Sequence, residues 1–314
     1  MRPTSFNLSM KPSRILSLLC LIAFVGVTPR ASAKLNVIAT TPDFGALAQE
    51  VGGDLVKVHS LAIGSEDPHF VDAKPSFIRI LNQADVLIEG GAELEIGWLP
   101  PLVNNARNPK ILSDAPGHII GSRGVALREV PNQALDRSHG DVHPLGNPHY
   151  LLDPDNAKVV AATLAQTFSQ LDPAHAETFQ ANARRFEARL AAKMAEWEKA
   201  LVPFRGTSVV TYHKSFDYFI ARFGFKLVGT IEPKPGIEPS PTHISTLIPE
   251  AKAAGTKLVL IEPCRPRRTP QQVAKALGAT LLVLPLMPGG NEKATDFCSW
   301  VDYNVAQICA ALKP

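Results

Sequence analysis

Apolar residues recur along the chain in two alternating rhythms. Short runs at 35–40 (LNVIAT), 56–63 (VKVHSLAI), 85–91 (DVLIEGG), 110–115 (KILSDA), 208–213 (SVVTYH), 257–263 (KLVLIEP) and 279–286 (ATLLVLPL) have the length and branching of buried strands. Between them, 42–53, 75–84, 214–225 and 295–313 carry apolar residues at helical spacing, and glycines close the first of these segments. Strands alternating with helices predict an α/β fold with mostly parallel sheets covered on both faces. Ligands in such sheets sit beyond the carboxyl ends of the strands.

One segment stands apart. From 173 to 201 there is no glycine and no internal proline, and Phe179, Ala183, Phe186, Leu190, Met194, Trp197 and Leu201 follow one another at intervals of three and four. This predicts a single helix of roughly 43 Å, longer than one small α/β domain needs. It suggests two lobes, each with a mostly parallel sheet flanked by helices, joined by one long rigid α-helix. The expected division is 34–172 for the first lobe, 173–201 for the linking helix and 202–314 for the second. A single domain with a long peripheral helix is the alternative. The proline cluster at 231–241 (IEPKPGIEPSP) predicts a stiff loop, either beside a ligand cleft or as a structural brace.

Charge changes the picture at the amino terminus. The formal net charge is +3, yet residues 1–33 hold Arg2, Lys11, Arg14 and Arg30 and no acid, so the remainder carries about −1. No basic surplus is left for nucleic acid. A thirteen-residue, mostly apolar run at 15–27, basic before and followed by Ala31-Ser32-Ala33, has the form of a cleavable export signal, with cleavage expected before Lys34. The run is shorter than a spanning helix needs, and Cys20 sits in its middle instead of at the downstream edge where a lipid anchor would attach. The mature protein is expected to be exported, free of the membrane and monomeric. Of its cysteines, Cys298 and Cys309 lie about 16 Å apart on one predicted helix; a disulfide would need Cys264, and free thiols are the other possibility.

Candidate chemistry rests on histidine. His69 (EDPHF), His149 (NPHY) and His213 (TYHKSF) each stand at a junction leading into a helix, two expected in the first lobe and one in the second. A lone histidine at such a place usually caps or packs, but three at equivalent places can meet in a cleft between lobes. Neutral imidazole is a favoured zinc ligand, and three leave one tetrahedral position for a carboxylate or water. Glu262, at the end of a predicted strand, is the favoured carboxylate, with Glu232 and Glu238 as alternatives. The polar stretch 138–144 (SHGDVHP) adds His139 and His143; such a loop could collect metal loosely or be no more than a polar loop, and two histidines are too few to decide. Nucleophile elbows, phosphate loops and H-E-x-x-H are absent from the sequence.

These motifs together resemble the zinc/manganese-specific solute-binding proteins of ABC importers, the ZnuA/TroA-like group. The resemblance runs from NVIATTPDFGALAQEVGGD through DPHF, NPHYLLDP and TYHKSFDYFIARFGF to VLIEP and PLMPGG. It implies two α/β lobes joined by a rigid helix, and a metal held between them by His69, His149 and His213. It also implies an exported, periplasmic protein that delivers its ion to a membrane permease. Two departures matter: many members carry an aspartate after the last strand, where this chain has Leu284, which leaves Glu262 or water as the fourth donor, and the His/Asp loop before the second ligand, long and dense in typical zinc members, is brief here. Three imidazoles suit Zn²⁺ better than Mn²⁺, which favours oxygen donors. Two competing readings remain on the residues alone. One is an exported zinc hydrolase or hydratase, since three histidines and an open position also generate metal-bound hydroxide. The other is a surface adhesion protein, weakened by the lack of an anchoring cysteine.

Overall fold

A computed structural model describes residues 1, 3–5, 33–131 and 143–313. The predicted export signal with Cys20, and His139 and Asp141 of the polar stretch, lie outside the described residues.

Two four-stranded parallel sheets organise the chain. The first comprises β1 (Leu35–Ala39), β2 (Val56–Ser60), β3 (Val86–Glu89) and β4 (His118–Ile120) in the order β2-β1-β3-β4. The second comprises β5 (Ser208–Thr211), β6 (Lys226–Thr230), β7 (Leu258–Ile261) and β8 (Thr280–Val283) in the order β6-β5-β7-β8. Counted from its own start, each sheet has the same strand order, a repeated path with no repeat in the sequence. In both, the chain steps outward from the first strand and then crosses back to the other side. The topology therefore reverses between β1 and β3 and between β5 and β7, and at such points the carboxyl ends open a crevice.

Helices cover the sheets as the hydrophobic pattern requires. In the first half these are α1 (Pro42–Gly52), α2 (Pro75–Asn82), α3 (Leu99–Ala106) and α4 (Ala157–Leu171). In the second half they are α6 (Asp217–Phe223), α7 (Pro241–Ala253), α8 (Arg268–Leu277) and α9 (Phe297–Leu312). Prolines open α1, α2 and α7, where the missing N–H costs nothing. A capping box of Asp296 and Ser299 opens α9.

Between the two sets runs α5 (Ala176–Leu201), entered and left through short 3-10 turns at Pro173–His175 and Val202–Phe204. All seven apolar residues of the predicted stripe are buried. The helix touches both halves: Asn182 Nδ2 donates to the Val51 carbonyl of α1 at 2.9 Å, and Trp197 Nε1 donates to Asp302 of α9 at 2.7 Å. Phe186 meets Phe297 edge to face with ring centroids 6.0 Å apart. One apolar cluster runs without a break from Val37 and Phe44 in the first half through these residues to Leu258 and Ile308 in the second. At roughly 1.5–3 kcal/mol for each large apolar side chain buried, this shared core is what fixes the two sheets relative to each other.

Backbone also meets backbone across the halves. A Cβ added to Gly64, in the loop after β2, would lie 2.2 Å from the Gly290 nitrogen and 2.3 Å from the Pro288 carbonyl oxygen. Only glycine allows this approach.

One predicted strand is displaced. KILSDA is not a strand; its first two residues, Lys110 and Ile111, belong to a 3-10 turn, Pro109–Ile111, that Asn108 caps by accepting from the Lys110 N–H. The fourth strand of the sheet is His118–Ile120, three residues long. Ile111 is buried by the turn, so its apolar signal reported packing instead of sheet. Cys264, Cys298 and Cys309 are free thiols.

Candidate metal centre

His69 and His149 are presented by the same local device. In Asp67-Pro68-His69 the Asp67 Oδ1 accepts the His69 N–H at 3.0 Å, and in Asn147-Pro148-His149 the Asn147 Oδ1 accepts the His149 N–H at 3.0 Å. Each is an Asx turn, with a proline fixing the residue between acceptor and donor. His213 arrives differently, two residues beyond the end of β5, and its Nδ1 donates to Glu232 Oε2 at 2.8 Å. That bond leaves Nε2 as the free lone pair and orients the ring, the arrangement that outer carboxylates give metal-binding histidines. Asn147 links the halves here, because its Nδ2 donates both to Glu129 and to the carbonyl of Lys214, next to His213.

The three rings converge. His69 Nε2 and His149 Nε2 are 3.1 Å apart, and one ring nitrogen from each of His69, His149 and His213 lies within 4.8 Å of the others. Among the described residues this is the cluster of metal-ligating side chains the fold assembles. The rings meet edge to face, with centroids 5.0–5.6 Å apart. Nitrogens bound to one tetrahedral zinc at about 2.0–2.1 Å would be separated by about 3.3 Å, so the 3.1 Å pair already spans close to one tetrahedral edge. His149 and His213 are buried and His69 is partly buried.

Burial sets the protonation. It is the main reason His69 and His149 are held well below the ordinary imidazole range, and the neighbouring imidazoles and Arg265 push in the same direction. Both rings are neutral at pH 7 and keep a lone pair for a cation. His143 stacks on His69 with centroids 5.0 Å apart and planes at 25°; burial, then His213, lowers its pKa to about 4. Its Nε2 is buried with no hydrogen-bond partner.

Glu262 is fully buried beside the cluster but outside the group of three. Its Oε1 accepts from Ser215 Oγ at 2.6 Å, while Oε2 has no hydrogen-bond partner and lies 3.7 Å from Arg265 Nε. Burial raises its pKa, opposed by His213 and Arg265. Glu232 supports His213, and Glu238 is exposed on the proline-rich loop. Leu284, in place of an aspartate, is buried in the core and offers no donor. The neighbours of the histidines have other work: Tyr150 Oη donates to the Gly90 carbonyl at 2.9 Å, Lys214 pairs with Glu129, and Tyr212 lies under the Arg265 guanidinium at 5.3 Å.

Sequence reasoning did not single out Asp67, Asn147 or Arg265. The first two had a visible signal, an Asx-Pro-His tripeptide occurring twice. Arg265 had none, since it belongs to the run CRPRR, whose composition is that of a solvated surface.

Comparison with known proteins agrees with this architecture. The family model ZnuA, zinc-uptake complex component A periplasmic, matches residues 37–311. The chain is 26% identical over 320 residues to the metal ABC transporter substrate-binding lipoprotein ScbA of Streptococcus cristatus, covering 96% of this chain and 99% of that one. It is 25% identical to the manganese ABC transporter substrate-binding lipoprotein scaA of Streptococcus gordonii, with the same coverage. To the iron ABC transporter substrate-binding lipoprotein MtsA of Streptococcus pyogenes serotype M1 it is 26% identical, covering 87% of this chain and 86% of that one. A crystal structure of ZnuA superposes with a TM-score of 0.74 at 24% identity, covering 89% of this chain and all of the other.

Proposed function

The chain belongs to the ZnuA family, and from that premise we propose that it captures Zn²⁺ in the periplasm and delivers it to the membrane permease of an ABC importer. Its relatives are substrate-binding transport proteins and not enzymes, which sets the hydrolase or hydratase reading aside. The observation that carries the proposal is the convergence of three imidazoles, one each from His69, His149 and His213, from both halves of the molecule on one point. His69, His149 and His213 act as the ligands, with Glu262 or water in the fourth position.

Relatives are named for manganese, for iron or for metal in general, so the ion is argued from the donors. Three nitrogens and at most one carboxylate suit Zn²⁺, whereas Mn²⁺ is better served by oxygen. On this reading the exported protein carries no lipid anchor, because Cys20 lies in the middle of the apolar run of the leader.

A docking face is consistent with delivery. Among the described residues, Ile63, Phe70, Ile96, Val130, Leu145 and Ile237 are exposed, and all lie on loops that follow the carboxyl ends of strands, the end that carries the histidines. Apolar side chains gathered at one end of a soluble protein fit a partner surface better than water.

The test is metal analysis with competitive titration of the protein against the variant His69→Ala/His149→Ala/His213→Ala. One tightly held zinc in the parent and none in a folded triple variant is the expected result. A variant that retains stoichiometric zinc, or a parent that binds none, overturns the proposal.

A further inference from the structure

Arg265 is the hub of a buried charge cluster that the capture of an ion does not by itself require. Its guanidinium reaches Asp67 Oδ2 at 3.2 Å, Glu232 Oε1 at 3.3 Å and Glu262 Oε2 at 3.7 Å, and only 14% of its side chain is exposed. Each of these carboxylates is tied to one part of the histidine cluster. Asp67 accepts the backbone N–H of His69 with its other oxygen, Glu232 accepts from the His213 ring with its other oxygen, and Glu262 is held by Ser215, two residues after His213. Arg265 therefore stands behind the ligands of both halves at once.

The contact with Glu262 differs from the other two. At 3.7 Å it is an ion pair without a hydrogen bond, and both Glu262 Oε2 and Arg265 Nε are buried with no hydrogen-bond partner. A buried carboxylate oxygen with no donor is available to whichever cation approaches it. Here two cations compete for it, the fixed guanidinium and the ion among the imidazoles.

We propose that Arg265 determines metal specificity, holding Glu262 back from the ion so that the site offers nitrogen donors and a neutral fourth ligand. The inference rests on the capture reading and decides between its two candidates for the fourth position. With Arg265 present, the site lacks the carboxylate oxygen that would favour Mn²⁺, and ions content with imidazole are preferred. Without it, Glu262 Oε2 turns to the ion and becomes an oxygen ligand.

Removing a buried positive charge will raise affinity for any dication, so the informative quantity is the ratio of the Zn²⁺ and Mn²⁺ dissociation constants. The experiment measures both by competitive titration for the parent, Arg265→Gln, Arg265→Lys and Arg265→Gln/Glu262→Gln, each checked for native circular dichroism. Arg265→Gln is expected to move the ratio toward Mn²⁺ by about ten-fold or more, within the range seen when outer-shell partners of a metal site are changed. The double variant is expected to bring the ratio back toward the parent value, because the oxygen ligand is gone. Arg265→Lys, which keeps the charge but not the three-armed geometry, is expected to move it in the same direction by less, and it carries the test if Arg265→Gln does not fold.

An unchanged ratio in the folded arginine variants, or a shift that persists undiminished when Glu262 is also replaced, overturns the proposal. A parent that binds no metal overturns the capture reading instead, so the two failures are distinguishable.

Discussion

His69 and His149 are separated by eighty residues of chain, yet their Nε2 atoms stand 3.1 Å apart. Two neutral imidazoles held nitrogen to nitrogen can share at most one proton between them, and a dication placed there satisfies both lone pairs. Replacing His149 by alanine is therefore expected to weaken Zn²⁺ binding by more than about 100-fold, beyond the 10–100-fold typical of outer-shell changes. Titration against a chelator of known affinity measures it. A loss of less than ten-fold would mean that His149 does not ligate the ion.

Glu232 should matter without touching the ion. Its Oε2 holds His213 Nδ1 at 2.8 Å and also accepts the Gly236 N–H at 3.3 Å. Glu232→Gln replaces a charged acceptor by an amide, and the expected cost is about 10–100-fold in Zn²⁺ affinity. The unfolding midpoint of the metal-loaded variant, compared with parent at several zinc concentrations, reads the same loss as stability. A ligand at 100 times its Kd stabilises by about 2.7 kcal/mol, and that increment should require correspondingly more zinc in the variant.

Two sets of buried groups give the metal-free protein opposing pH dependences. Burial holds His69 and His149 well below the usual value of 6.5; the unfolded chain then binds protons that the folded chain refuses. Their contribution is fully present above about pH 6.5 and is lost as pH falls below it. Glu95 has the opposite sign. Burial raises its pKa from 4.5 to about 7, against hydrogen bonds from Thr40 Oγ1 at 2.6 Å and the Gly90 N–H at 2.7 Å. Its contribution is full below about pH 4.5 and is lost as pH rises through about 7, a cost on the order of 3 kcal/mol at alkaline pH. Glu95→Gln keeps both hydrogen bonds without the charge. Urea midpoints at pH 5, 6.5 and 8 should show it gaining stability on the alkaline side; an equal effect at all three values would refute the assignment.

Gly64→Ala tests the contact between the halves. The added methyl would meet the backbone of Gly290 and Pro288 within 2.3 Å, so the halves must part locally or the loop must shift. A loss of about 1–3 kcal/mol in stability should be accompanied by weaker zinc binding, because the same loop leads to Asp67 and His69. Stability lost with affinity unchanged would show that the two halves adjust independently of the site.

The fold was legible where periodicity was strong. The seven-residue stripe of the long helix is buried in full because its spacing of three and four admits one facing direction only. A three-residue strand such as His118–Ile120 is too short to show any period, and Ile111 nearby produced a competing signal. The histidines were legible from the order of their motifs, though not the means of their support. Glu232 was harder to place than Glu262. Glu262 follows the central strand β7 directly, whereas Glu232 follows the edge strand β6, whose pairing with β5 shifts register between Val209 and Val210. A bulge re-aims the side chains beyond it, and no pattern of hydrophobic residues reports that. Arg265 drew on acids at positions 67, 232 and 262, which only folding brings together.

The division of the three histidines between the halves is unequal, two from the first and one from the second. With the proposed ligands, separation of the halves would leave the ion on a two-nitrogen platform, its third bond the one exposed to exchange. Delivery is then ligand substitution from a single face, in which an acceptor takes the place of His213 before the other two bonds are broken. The free hydrated ion need never form on that route. The speed of transfer would follow from the acceptor's ability to displace one imidazole, and much less from the total strength of the site.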